Sequence, residues 1–167
     1  MLGGGSTSLT NHQAGLLVRR VIFRLPVRLR AELAPRALYT SPELASVGLG
    51  EADARARHGG KVGVLRAAFS DNDRARTSGS TEGFVKIVVD RRGRILGASV
   101  VGEAASELIA PLGLAMRKNM RVHDLRDMAL CYPTRAEAIK RAALGYFLPE
   151  LAKPRLARFI RFLHSWG

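Results

Sequence analysis

The 167-residue sequence predicts an α+β domain in which helices pack on one face of an antiparallel sheet. Three observations lead there. Between Lys61 and Gly102 lie three runs with strand character, "KVGVLRAAFS", "GFVKIVVD" and "RILGASVVG". The segments that join them, "DNDRARTSGSTEG" and "DRRG", are too short for the crossover helix that parallel neighbours require. Helical periodicity is confined to the two flanks of this block.

Taken in order, "TNHQAGLLVRRVIFRLP" sets Ala14, Leu17, Val18, Val21, Ile22 and Leu25 on one stripe with arginines elsewhere, and Pro26 ends the helix. "RALYT" and "ASVGLG" read as two short extended pieces around one turn of helix at "SPEL", where Ser41 caps and Pro42 pre-sets the turn. "EADARARHGG" is a short helix stopped by Gly59 and Gly60. In the second strand Val85, Ile87 and Val89 face one way and Phe84, Lys86 and Val88 the other, and "DRRG" closes a hairpin with the third. The polar "DNDRARTSGSTEG" reads as a solvent loop. "EAASELIAPLGLAMRKN" returns to helical spacing through Leu108, Leu112, Ala115 and Met116, with Pro111 expected to kink it. "HDLRDM" is a further short turn of helix, and "LAKPRLARFIRFLHSW" a basic amphipathic one.

The formal net charge is +13, concentrated at the ends: residues 1–36 carry six basic side chains against one acidic, and residues 135–167 seven against two. No helix-turn-helix, zinc-finger or RNA-binding signature accompanies that charge, so specific nucleic-acid recognition is not expected. No run of about 18 uncharged apolar residues occurs and the start lacks the features of a signal peptide, which predicts a cytoplasmic chain. The lone cysteine, Cys131, excludes an internal disulfide and a redox Cys pair within this chain, and His12, His58, His123 and His164 lack paired ligand spacing, so no metal site is expected. Cys131 itself reads as a packed small residue rather than a ligand.

Chemistry concentrates in "CYPTRAEAIKRAA", Cys131 to Ala143. Thr134 and Glu137 have the spacing of a capping box, in which the hydroxyl accepts from the N–H of Glu137 and the carboxylate reaches back to the N–H of Thr134. Ala136, Ile139, Ala143, Tyr146 and Phe147 then follow on an inner face, with Arg135, Lys140 and Arg141 on the other side.

The pieces "YTSPELASVGLGEADAR", "GFVKIVVD", "RILGASVVGEAASELI" and "YPTRAEAIKRAA", in this order and spacing, resemble the C-terminal interface, or dimerisation, domain of the pyridine-nucleotide disulfide oxidoreductases. These FAD enzymes include dihydrolipoamide dehydrogenase, glutathione reductase and mercuric reductase. The resemblance runs from about Leu9 to Phe147, and "GGGSTSLTNHQAGLLVRR" is similar to the end of the FAD-binding domain and the helix leading from it. It implies three parts: residues 1–34 as the end of the FAD-binding region, 35–148 as the interface domain and 149–167 as the basic C-terminal helix. It also implies a homodimer, formed through the sheet face and the helix beginning at Thr134, within a parent that holds FAD and NAD(P)H in separate domains. The GxGxxG motifs and the Cys pair of that parent are absent here, so this chain alone is expected to hold neither cofactor and to be inactive.

By the same resemblance, "YPTRAE" reaches the partner subunit's flavin, which makes Tyr132 and Pro133 cofactor contacts and Tyr132 and Glu137 the catalytic candidates. The usual residue at the Tyr132 position is a histidine, oriented by a glutamate matching Glu137. A tyrosine with a pKa of about 10 is a far poorer base at neutral pH than a histidine of about 6.5. The hydroxyl resembles the mercuric-reductase branch, although the ending "FLHSWG" lacks that branch's Cys pair. Glu137 is left with two roles, cap and orienter. The competing function class is a non-catalytic basic module whose end helices meet anionic membrane or nucleic acid, with residues 153–167 either lying on lipid or docking on the domain.

Overall fold

The computed structural model describes residues 7–26 and 30–151. Five strands form one sheet in the order β1-β2-β5-β4-β3: β1 (Arg36–Leu38), β2 (Leu44–Gly48), β3 (Val62–Ala68), β4 (Phe84–Asp90) and β5 (Ile95–Val101). Every neighbouring pair is antiparallel. The register lines up Ala67, Val85, Val100 and Ala45 across the sheet, and Leu65, Ile87, Ala98 and Val47 in the next row. All eight are buried. The alternation read in "GFVKIVVD" therefore selects one face as the core.

Two helices cover that face. Helix α4 (Ala105–Arg117) lies on β2 and β5, and α6 (Glu137–Leu144) lies on β3 and β4. Leu108, Leu112, Met116, Ile139 and Ala143 carry their apolar stripes into the core. Between them, α5 (Val122–Arg126) buries Val122 and Leu125 beside α6. The short α2 (Glu51–His58) lies toward the other side of the sheet: Lys86, which alternates away from Val85 and Ile87, meets Glu51 of α2 at 3.6 Å. The β4–β5 hairpin is closed by the Asp90 carboxylate, which accepts from the N–H groups of Arg92 (2.8 Å) and Arg94 (2.9 Å). Gly93 supplies the positive φ of 72° that this turn requires.

The structure departs from the sequence reading at several places. The sheet has five strands, because the extended pieces around "SPEL" pair as β1 and β2. "SPEL" itself is a bend with a cis Ser41–Pro42 bond rather than a turn of helix. A three-residue strand is too short for its period to register in sequence. "DNDRARTSGSTEG" is not a plain solvent loop. It holds α3 (Asp73–Thr77), preceded by a one-turn 3-10 helix at Phe69–Asp71, and both Phe69 and Ala75 are fully buried.

The remaining differences are at the ends and around α6. Helix α1 (Thr7–Val21) forms, yet its apolar stripe faces outward: Leu17 and Val21 are 66% and 67% exposed, while Leu16 is buried. Arg135, placed on the outer side of α6 by spacing, is buried. Cys131 is exposed rather than packed. The chain continues through α7 (Leu148–Leu151), and the basic amphipathic helix read over residues 153–167 lies outside the described residues. Among the described residues, no helix is long and apolar enough to cross a membrane.

Candidate functional site

Residues 131–137 form the connection into α6, and each is held by an identifiable contact. The Tyr132–Pro133 bond is cis, and Tyr132 projects from the surface at 71% exposed. The Thr134 hydroxyl donates to the carbonyl of Cys131 at 2.9 Å, closing a tight local turn. The Thr134 N–H donates to a Glu137 carboxylate oxygen at 3.0 Å. Half of the expected capping box is thus present. The other half is not, because the Thr134 hydroxyl is engaged with Cys131 and α6 starts at Glu137 itself, after Ala136.

The segment is also fastened to distant parts of the chain, through the elements that sequence reading took for a loop. Asn72 uses both ends of its amide: the oxygen accepts from the Ala75 N–H at 2.9 Å and caps α3, while the nitrogen donates to the Thr134 carbonyl at 2.9 Å. The Arg135 guanidinium donates to the Ser80 carbonyl (3.0 Å), the Ser78 hydroxyl (2.8 Å) and a Glu103 carboxylate oxygen (2.6 Å). A buried guanidinium is tolerated only when its donors are met in this way. From the α6 side, Lys140 donates to the Met128 carbonyl at 3.2 Å and fixes the stretch between α5 and the site.

The Tyr132 hydroxyl donates to a carboxylate oxygen of Asp73 at 2.9 Å. That hydrogen bond is the largest cause holding the Tyr132 phenol above its ordinary pKa, followed by the Asp73 charge, partial desolvation and the charge of Glu137. Of the sequence-derived candidates, then, Tyr132, Pro133 and Glu137 lie on one short segment. Glu137 holds the backbone of that segment, and the phenol's partner within this chain is Asp73. Sequence reasoning missed Asp73, Asn72 and the role of Arg135. One signal for α3 was available, since an Asn ahead of "DRARTS" is a common helix N-cap.

A cleft of about 520 Å³ adjoins the Arg135 cluster, between Thr40–Glu43, Gly79–Glu82 and Glu103. Its wall is stiffened by Glu43, whose carboxylate accepts from the Ser106 N–H (3.1 Å) and hydroxyl (2.9 Å) at the start of α4. Those bonds, the backbone one first, hold Glu43 below its ordinary pKa.

The widespread dinucleotide-binding unit is a parallel strand–turn–helix whose helix N-terminus receives the pyrophosphate. The described strands are antiparallel throughout and form no such unit. The candidate residues 131–137 lie outside these strands. What they present is an exposed edge at Tyr132 and Pro133.

Fold and edge together define an α+β domain, helices on one face of an antiparallel sheet, that carries a firmly held polar segment on its rim. The family model for the dimerisation domain of pyridine nucleotide-disulphide oxidoreductases matches residues 34–143, and the chain belongs to that family. It is 42% identical over 118 residues to dihydrolipoyl dehydrogenase 3 of Pseudomonas aeruginosa, covering 70% of this chain and 25% of that protein. It is 39% identical over 134 residues to a dihydrolipoyl dehydrogenase of Chlorobaculum parvum, covering 80% of this chain and 28% of the relative. Among solved structures, LpdA of Mycobacterium tuberculosis superposes with a TM-score of 0.76 at 28% identity, over 82% of this chain and 30% of that one. The chain spans about a quarter of the length of the curated relatives it matches. These similarities give no support to the basic membrane- or nucleic-acid-binding alternative.

Proposed function

We propose that this chain acts as the dimerisation module of an FAD- and NAD(P)H-dependent disulfide oxidoreductase, and that it places Tyr132 and Glu137 at the active site of the second subunit of a homodimer. In this reading residues 1–34 are the end of the FAD-binding region, 35–148 the interface domain and 149–167 a basic C-terminal segment, in a protein of the cytoplasm. The observation that carries this reading is the contrast at Tyr132, a large, exposed side chain on a segment held by two backbone bonds at Thr134 and by the Arg135 side chain. Such exposure with such rigidity suits a group that must meet something outside its own chain.

Flavin bound by the rest of the protein supplies two-electron transfer between the nicotinamide and a disulfide or metal–thiolate. The contribution of this chain is to orient. Glu137 fixes the Thr134 N–H and with it the direction of the segment. Tyr132 offers a phenol that stays protonated at neutral pH, and a hydroxyl in that position favours a mercuric reductase-like branch over one that needs a histidine base.

In the full-length protein, Tyr132→Phe is expected to slow the half-reaction with the thiol or disulfide substrate while leaving flavin reduction by NAD(P)H nearly unchanged, read by stopped-flow absorbance of the flavin. Unaltered rates in both half-reactions would reduce Tyr132 to a packing residue.

A further inference from the structure

Tyr132 has one hydroxyl proton, and in this structure that proton is directed at Asp73. Asp73 is the first residue of α3, and three separate hydrogen bonds run between this region and residues 132–135: the Tyr132 hydroxyl donates to Asp73, the Asn72 amide to the Thr134 carbonyl, and Arg135 to the Ser78 hydroxyl. The contacts are 57 to 62 residues apart in sequence, so they hold the segment from outside its own local fold. Phe69 and Ala75, both fully buried, anchor the region that makes them.

We propose that Asp73 is a positioning residue for Tyr132: it fixes the direction of the phenol and takes its only donated hydrogen bond, so that the phenol oxygen meets a substrate as an acceptor. This rests on the reading of Tyr132 as a substrate-facing group. While the Asp73 bond stands, the oxygen has only lone pairs to offer. A neutral thiol S–H or a cationic centre can approach it, whereas a thiolate meets the carboxylates of Asp73 from α3 and Glu137 from α6, the charged groups that act on the phenol. The substrate class selected by this arrangement is a protonated thiol or a thiol-bound cation.

Replacing Asp73 by Asn removes the negative charge and keeps the size. It leaves the α3 cap intact, because Asn72 is the capping residue. The 167-residue chain has three tyrosines, so 13Cζ-tyrosine labelling yields three resonances, and loss of one in Tyr132→Phe assigns it. We expect the Tyr132 titration midpoint to fall in Asp73→Asn, since the Asp73 hydrogen bond and charge are what raise it, and to return toward the wild-type value in Asp73→Glu. An unchanged midpoint in Asp73→Asn overturns the contact, whatever the enzyme does. In the full-length oxidoreductase, Asp73→Asn should lower kcat/KM for a thiol substrate several-fold and shift its pH profile, with flavin reduction by NAD(P)H unchanged. If Tyr132→Phe impairs the thiol half-reaction and Asp73→Asn leaves its rate and pH profile as in wild type, the positioning role is overturned while the functional reading stands. If Tyr132→Phe is itself without effect, it is the functional reading that fails.

Discussion

Helices α1 and α6 carry the same kind of sequence signal and have opposite fates. Each has an apolar stripe at helical spacing with arginines elsewhere. In α6 the stripe is buried to completion at Ile139 and Ala143, whereas in α1 Leu17 and Val21 stand in solvent among the described residues. Amphipathicity states that a helix has a side to cover; it does not state that the cover lies within the same domain. The difference follows from position in the chain. Helix α6 is entered from a clamped segment and laid on β3 and β4. Helix α1 precedes the first residue matched by the family model.

The contrast can be broken most strongly at Ile139. Ile139→Ala should cost about 2–5 kcal/mol of unfolding free energy by denaturant titration, whereas Val21→Ala should change it by less than about 0.5 kcal/mol. Equal effects would show that the stripe of α1 is covered in solution. A smaller effect is expected at the entry to α6. Arg135→Ala leaves the Ser80 carbonyl and Glu103 without their buried donor and should cost roughly 1–3 kcal/mol. A change inside measurement error would mean that water replaces the guanidinium without loss. The smallest effect concerns acid. Because the folded pKa of Glu43 lies below its unfolded value, its contribution is complete above the unfolded value of about 4.3 and is lost as pH falls through the folded one. Glu43→Gln should therefore flatten the decline of Tm on acidification below about pH 4.3. A parallel decline in both proteins would remove Glu43 from the acid response.

What could be read in the sequence follows the same division between local and distant causes. The alternation of Val85, Ile87 and Val89, the Asp90–Gly93 turn and the stripe of α4 are set by neighbours a few residues away, and all were legible. The spacing of Thr134 and Glu137 pointed to a real contact, although only the Glu137 side of it forms. The α3 region was not legible. Its helix is five residues long and almost wholly polar, and its orientation comes from a core contact at Phe69 and from hydrogen bonds to residues about sixty positions onward. The burial of Arg135 was hidden for the same reason, since its acceptors come from the α3–β4 connection and the turn before α4. Periodicity reports which face is apolar, and it is silent on which polar groups a fold will enclose.

Asn72 joins these two regions by using both halves of one amide, and this makes it sensitive to a change of a single functional group. Deamidation would replace its NH2 with an oxygen: the cap on Ala75 would survive, since an oxygen acceptor remains, but the donor to the Thr134 carbonyl would be lost and a second carboxylate would stand beside Asp73. Ageing of this one side chain would leave the helix content and the core untouched and release the mooring of Tyr132. Its near-complete burial, at 5% exposed, is a shield against that slow chemistry as much as a feature of packing.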